Sequence, residues 1–317
     1  VFSRSWQLVG HESALANAGD HLVTDVGGIP VVVIRDTEAR LRAFHNVCRH
    51  RAGPLATCDG KGAKVLRCKY HGWTYTLEGV LRSAPEMQAT EDFEVSEVRL
   101  PELRIDTWQG LVFVAGDGAV SFADFSRGLD GPLRALSPKD YVFHKRFRYE
   151  VACNWKIYCD NYLEGYHVPH IHPGLNSLLD YRQYVTECGD WFSYQYSPLA
   201  SDASLYGDGD AVYYFIYPNT MLNLLPGRLQ TNRVLPLGAD RCIVEFDYYY
   251  SPGDDAAARH QADHDFAHQV QDEDIEICEH VQRGLASGSY VPGRLNPLRE
   301  NAVHHFHELL RAAYRAG

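Results

Sequence analysis

Cys48-Arg49-His50-Arg51-Ala52-Gly53 and Cys68-Lys69-Tyr70-His71-Gly72-Trp73 decide how the first third of this 317-residue chain is read. Seventeen residues, 51–67, separate His50 from Cys68. Each segment supplies one thiolate and one imidazole, a C-x-H…C-x-x-H arrangement with glycine at or beside both loops. Four Cys/His donors can hold zinc, but Cys2His2 zinc modules pair cysteine with cysteine and histidine with histidine. The pairs here are mixed.

Mixed pairs suit a Rieske [2Fe–2S] centre, in which one iron takes two thiolates and the other two imidazoles. Neutral imidazoles in place of two thiolates raise the reduction potential, so a centre on Cys48, His50, Cys68 and His71 is an electron relay. Respiratory Rieske proteins carry an extra cysteine beside each ligand pair, joined as a disulfide. Neither stands here. Cys58, between the loops and without an obvious partner, is expected to be a small buried hydrophobe.

Hydrophobic content of 45% and charged content of 22% are ordinary for a globular protein, and the length allows two domains. A net charge of −11 argues against a nucleic-acid partner. No apolar run approaches the ~20 residues of a membrane-spanning helix. Val1-Phe2-Ser3-Arg4-Ser5-Trp6 lacks the basic start and apolar stretch of a signal peptide, and the missing initiator Met predicts that residues precede Val1. Eight cysteines are scattered rather than set in a framework, which predicts a reducing, cytoplasmic setting.

Outward from the two loops, 22–26, 29–35 and 41–47 read as strands, 74–77 with Glu78-Gly79 as a hairpin approach, and 111–114 as a further strand. Ala115-Gly116-Asp117-Gly118 marks a domain boundary, giving 1–117 and 118–317. Beyond it, 142–151 alternates Phe143, Lys145, Phe147, Tyr149 and Val151 against His144, Arg146, Arg148 and Glu150, a strand with two faces. Segments 213–217 and 243–250 are aromatic, β-branched strands. Residues 256–285 predict a helix with Phe266, Val270, Ile277, Val281 and Leu285 at helical spacing, and 299–316 another with Val303, Phe306, Leu309, Leu310 and Tyr314. The expected fold class is α+β: an all-β N-terminal domain, then a curved antiparallel sheet gripped by helices over a ligand cavity.

A second constellation lies at 154–174. On a helix through it, Asp160, Glu164 and His167 fall at i, i+4 and i+7 on one face. Pro169 is expected to end or kink that helix. Without a break, His167 and His172 stand about 140° apart round the axis; with it, two imidazoles can face one ion, His170 being the local competitor. Two histidines and a carboxylate with open positions is the arrangement of non-haem Fe(II) oxygenases. The third ligand must come from elsewhere, and the long helix offers Gln271-Asp272-Glu273-Asp274-Ile275-Glu276.

Together these residues resemble the catalytic α subunit of a Rieske non-haem iron oxygenase, over nearly the whole chain from Trp6 to the last helix. Asn154-Trp155-Lys156, Asp160-Asn161-Tyr162-Leu163-Glu164 and the His167/His172 pair match the family pattern at the mononuclear iron. The resemblance points to Asp274 as the third ligand and to Glu164, with Asp160 and Asn161, as the catalytic group. The family's bridging acid, three residues before the first iron histidine, is usually Asp. Glu164 in that place, with Gln282-Arg283-Gly284-Leu285 and His304-His305-Phe306-His307, is similar to the branch of choline monooxygenase and the carnitine and betaine oxygenases.

The resemblance implies a [2Fe–2S] cluster, Fe(II), O2 as co-substrate, and a reductase delivering electrons from NAD(P)H through flavin. It implies a homotrimer in which an electron passes from His71 of one chain, through Glu164, to His167 of its neighbour. The implied reaction hydroxylates a small quaternary amine, by N-demethylation or at another C–H bond. Trp191, Tyr194, Tyr196, Tyr206, Tyr213 and Phe215 fall where the cavity wall is expected, and a quaternary ammonium gains roughly 0.5–2 kcal/mol per cation–π contact. Competing readings are an aromatic or cyclic substrate, an electron carrier with a non-catalytic binding domain, and a zinc-stapled module.

Overall fold

The computed structural model describes residues 1–130, 133, 138–200, 205–253 and 256–316. They form two compact units, Phe2–Ser126 and Arg127–Gly317. The first holds nine strands: β1 (Gln7–His11), β2 (His21–Val26), β3 (Ile29–Arg35), β4 (Leu41–His45), β5 (Leu66–Arg67), β6 (Thr74–Tyr75), β7 (Leu81–Ser83), β8 (Glu102–Trp108) and β9 (Leu111–Ala115). Six make a sheet in the order β1-β9-β8-β4-β3-β2, and β5-β6-β7 make a second, smaller one. The centre of β3 is apolar throughout because both its faces are buried. Val32 and Ile34 join one core with Phe44, Leu66 and Tyr75, while Val31 and Val33 join another with Val9, Val112 and Val114.

Strand β4 stops at His45, two residues short of the expected end. Asn46 turns the chain: its side-chain oxygen accepts from the N–H groups of Leu55 (2.9 Å) and Ala56 (3.1 Å), and its amide donates to the Ala56 carbonyl (2.7 Å). This pins the loop that carries Cys48 and His50. Cys58 is exposed rather than buried, because 51–65 is loop, not strand. The unit also runs past the Gly/Asp cluster at 115–118. Helix α1 (Phe122–Arg127) lays Phe122 and Phe125 on Trp6, with ring centroids 4.9 and 6.2 Å apart, so the unit ends at Ser126 and not at residue 117.

The second unit is an antiparallel sheet of seven strands: β10 (Val142–Val151), β11 (Val185–Cys188), β12 (Phe192–Pro198), β13 (Asp210–Ile216), β14 (Thr220–Leu225), β15 (Arg228–Pro236) and β16 (Cys242–Tyr250). Its order is β10-β16-β15-β14-β13-β12-β11. Helices α2 (Trp155–Tyr162), α3 (Val168–Ile171), α4 (Pro173–Leu178), α5 (Ala257–Ala286) and α6 (Asn301–Arg315) complete it. The α+β class and the sheet-with-helices plan are as expected.

Two details differ. A register shift between Phe143 and Lys145 breaks the simple alternation of β10. His144 therefore joins Tyr250, His260 and His264 in an aromatic cluster that Phe147 also touches, while Arg146 pairs with Asp247 at 2.6 Å. On α5, Val281 and Leu285 are exposed, and the helix instead buries His260, Asp263, His264, Gln271 and Cys278. Its inner face is polar because His260 and His264 pack into the aromatic cluster with His144 and Tyr250, and Asp263 pairs with Arg228. In α6, Val303, Phe306 and Leu310 are buried as expected, and Tyr314 is not.

Candidate metal centres

The two loops of the first unit close in the same way. The N–H of Ala52 donates to the Cys48 carbonyl and the N–H of Gly72 to the Cys68 carbonyl, both at 3.0 Å. Cys48 N–H reaches the Gly53 carbonyl (2.8 Å) and Cys68 N–H the Trp73 carbonyl (2.9 Å). Ala52 and Gly72 both take positive φ, 58° and 76°. This repeated turn sets the two thiols and two imidazoles face to face. The His50 and His71 ring centroids are 4.5 Å apart, and both thiols are buried. Gly53 is required by close approach, since a Cβ there would sit 2.8 Å from Cys68 Sγ.

The Tyr75 hydroxyl lies 3.3 Å from Cys48 Sγ, to which it would donate once the sulfur is a thiolate, and it accepts from the Arg49 N–H at 3.0 Å. Burial pushes its pKa up, which keeps it a donor. Trp73 stacks flat on His50, with centroids 4.8 Å apart and planes 6° apart. The sulfurs are thus inside and the imidazoles outside: His50 is exposed and His71 half-buried. Charge leaves such a centre most readily on its histidine side.

In the second unit, the expected helix through 154–168 stops at Tyr162. Leu163 caps it by donating back to the Cys159 and Asp160 carbonyls. Gly165 then packs so tightly that a Cβ would meet the Tyr184 ring at 2.6 Å. Glu164 and His167 therefore sit on a non-helical link, not on one helix face with Asp160. Pro169 does not end a helix either. It stands in the first turn of α3, where its missing N–H costs nothing. His167 and His172 flank that single turn, which brings their ring centroids to 5.0 Å.

Both imidazoles are held alike. His167 Nδ1 donates to Glu164 Oε1 (2.6 Å) and His172 Nδ1 to Glu273 Oε2 (2.7 Å). Each Nε2 then faces Asp274 Oδ1, at 3.9 Å and 3.0 Å respectively. One donor atom from each of His167, His172 and Asp274 lies within 4.8 Å of the others. Asn161 Nδ2 donates to the same Asp274 oxygen at 2.6 Å. Burial opposes charge on His172, but its contacts with Asp274 and Glu273 outweigh that and raise its pKa. Glu164 Oε2 also accepts from the backbone N–H groups of Tyr166 and His167.

Asp160 is not part of this group; its oxygens lie 2.9 and 3.0 Å from His307 Nε2. His170, on α3, is exposed, as are Asp272 and Glu276. Glu273 was not singled out from the sequence, although its place beside Asp274 on a helix that faces two histidines was the available signal.

A cavity of about 120 Å3 opens from the His167/His172/Asp274 cluster between α5 and the sheet. Of the six aromatics expected in its wall, only Tyr206 and Tyr213 line it. Strand alternation explains Tyr194 and Tyr196: Ser193, Gln195 and Ser197 of β12 are buried, while these two point the other way, toward Glu187 and Asp210. Tyr158, Tyr162, Tyr184, Phe246 and Phe266 take their place. Burial raises the Tyr213 pKa to about 12 and those of Tyr162 and Tyr184 well above the ordinary value, so these phenols stay neutral.

The family model of the Rieske [2Fe-2S] domain matches residues 5–99, and that of the ring hydroxylating alpha subunit (catalytic domain) matches 138–316. The chain belongs to the Rieske-type ring-hydroxylating oxygenase alpha subunits. Among members of this family, it is 37% identical to the chloroplastic choline monooxygenase of Arabidopsis thaliana, over 98% of this chain and 77% of that one. It is 30% identical to the carnitine monooxygenase oxygenase subunit of Escherichia coli strain K12, over 99% and 89%. A solved quaternary ammonium Rieske monooxygenase, described for carnitine oxidation by gut microbiota and inter-subunit electron transfer, superposes with a TM-score of 0.90 at 28% identity, covering 98% of this chain and 89% of that one.

The matched domains of this Rieske oxygenase imply a [2Fe–2S] cluster and a non-haem iron. The donor sets fit. Two buried thiols facing two imidazoles have the composition a Rieske cluster needs. Two Nε2 atoms and a carboxylate leave room for further ligands on iron. Among the described residues, no helix is long and apolar enough to cross a membrane.

Proposed function

We propose that this oxygenase hydroxylates a small quaternary amine at a C–H bond. In this reading Cys48, His50, Cys68 and His71 hold the cluster, and His167, His172 and Asp274 hold the iron. When bound, the cluster supplies single electrons and the iron activates O2. The observation that carries the reading is the matched holding of His167 and His172: each Nδ1 on a carboxylate, each Nε2 toward Asp274. A carboxylate partner fixes tautomer and ring orientation and makes the ligand more basic.

The protein's own groups then divide the work. Glu164 holds His167 and bridges electrons arriving from His71 of a neighbouring subunit. Asn161 donates to the Asp274 oxygen that both imidazoles face, which fixes the carboxylate. Neutral phenols and Phe246 and Phe266 in the cavity lining attract a cation through their rings. One oxygen atom enters the C–H bond, and the other leaves as water with two electrons and two protons. On an N-methyl group the product is a hemiaminal, which releases formaldehyde and the demethylated amine; on a carbon bearing a hydroxyl it is an aldehyde.

The partners in this reading are a flavin-containing, NAD(P)H-dependent reductase and two further copies of this chain in a homotrimer. All eight cysteines are free, which supports a reducing compartment, here the cytoplasm. The test is turnover with a surrogate reductase, NADH and O2 against choline, carnitine, betaines and aromatic acids. Product formation coupled to NADH use is expected with a quaternary amine. Coupled turnover of an aromatic acid alone would favour the ring-hydroxylating alternative, and cluster re-oxidation without product from any compound the electron-carrier one.

A further inference from the structure

Strand β15 turns Arg228, Gln230 and Asn232 toward the cavity, and their hydrogen bonds all run one way. Arg228 Nη2 donates to Gln230 Oε1, and Gln230 Nε2 donates to Asn232 Oδ1 at 2.7 Å. The acceptors of this row are thereby used, and what it presents to the cavity is N–H. Arg228 is 5% exposed. Its Nε stands 3.0 Å from Asp263 Oδ2, but both Asp263 oxygens are already engaged by the hydroxyls of Tyr206 (2.5 Å) and Tyr250 (2.6 Å). A guanidinium has five N–H donors, so Asp263 and Gln230 leave others for a ligand.

This end is remote from the metal cluster. Asp263 and Asp274 lie on the unbroken helix α5, eleven residues or roughly 16 Å apart along its axis. Arg228 and Asp263 form a buried ion pair, so this end offers N–H donors without net charge, whereas Asp274 and Glu164 at the other end attract a quaternary ammonium. The cavity is therefore polar along its length: an anion fits at Arg228 and a cationic methyl group at His167, His172 and Asp274.

We propose that Arg228 is a specificity-determining residue that selects quaternary amines bearing a carboxylate over uncharged-tail analogues such as choline. The inference rests on the quaternary-amine reading above. Charge-assisted pairing of a planar guanidinium with a carboxylate in a water-poor site supplies the discrimination, and the arrangement sets the substrate's direction, carboxylate toward β15 and trimethylammonium toward the metal.

The experiment measures dissociation constants, without O2, for L-carnitine, γ-butyrobetaine and their methyl esters on the metal-loaded protein. The esters keep the cation and remove the anion. The acids are expected to bind at least about tenfold more tightly than their esters. In Arg228→Gln that ratio should fall toward one, and Arg228→Lys should recover part of it. Because Arg228 is buried, the acid-to-ester comparison on the unsubstituted protein decides the matter even if Arg228→Gln does not fold. Esters that bind as tightly as acids overturn the Arg228 assignment and leave the quaternary-amine reading standing. No binding by either kind overturns both.

Discussion

Glu164→Gln is expected to leave both metal centres occupied while slowing re-oxidation of the reduced cluster, in substrate and O2, by orders of magnitude. The reason lies in what the carboxylate accepts. Three N–H groups converge on its two oxygens: His167 Nδ1 on Oε1, and the backbone of Tyr166 and His167 on Oε2. An amide has one oxygen, so either the imidazole or the backbone pair must face an NH2 group. If the imidazole loses its acceptor, the tautomer that presents Nε2 to the metal is no longer favoured, and the negative charge proposed as the bridge between subunits is gone. Glu164→Asp keeps the charge on a shorter arm and should restore part of the rate. Single-turnover decay of the reduced cluster's absorption reads all three proteins. Decay in Glu164→Gln at the rate of the unsubstituted protein would remove Glu164 from the electron path.

Asp274→Ala is expected to abolish turnover and to lower iron content from about three per chain to about two, with the cluster spectrum unchanged. It removes the one carboxylate that both Nε2 atoms face and strands the Asn161 amide. Glu273→Ala is the informative comparison. Glu273 touches the far nitrogen of His172 and otherwise accepts from Gln269, so its loss should weaken iron binding about 10–100-fold rather than remove the site. If Glu273→Ala empties the site while Asp274→Ala retains iron, the two acids have been assigned the wrong way round.

The ligand-bearing segments were readable because their chemistry is local. Cys48-x-His50 and Cys68-x-x-His71 each close on a single turn, so spacing alone brings two donors together. His167 and His172 were readable for a similar reason, although the break between them was misplaced. Gly165, packed against Tyr184, ends the regular helix before Pro169 is reached, and only the fold reveals that neighbour. What escaped was the cavity wall. Strands β14 and β15 are buried along nearly their whole length yet carry Asn223, Arg228, Gln230, Thr231 and Asn232. Such a row has no hydrophobic alternation, because it lines a polar cavity rather than a core. Aromatics on β12 misled in the opposite sense: Tyr194 and Tyr196 look like cavity residues but take the face away from it, and the inward place belongs to Gln195. The acidic run at 271–276 could be placed on a helix but not phased against the histidines, which is why Glu273 was missed while Asp274 followed from the family resemblance.

The central claim is that electrons stored at the Cys48/His50/Cys68/His71 centre are spent at the His167/His172/Asp274 centre on oxygenating a quaternary amine. The most direct measurement is a single turnover: protein reduced in advance, freed of reductant and reductase, then mixed with O2 and carnitine or choline. The account predicts that oxidised product forms as the cluster absorption returns, with the same rate constant for both. Return of the cluster absorption without product from either compound would contradict it.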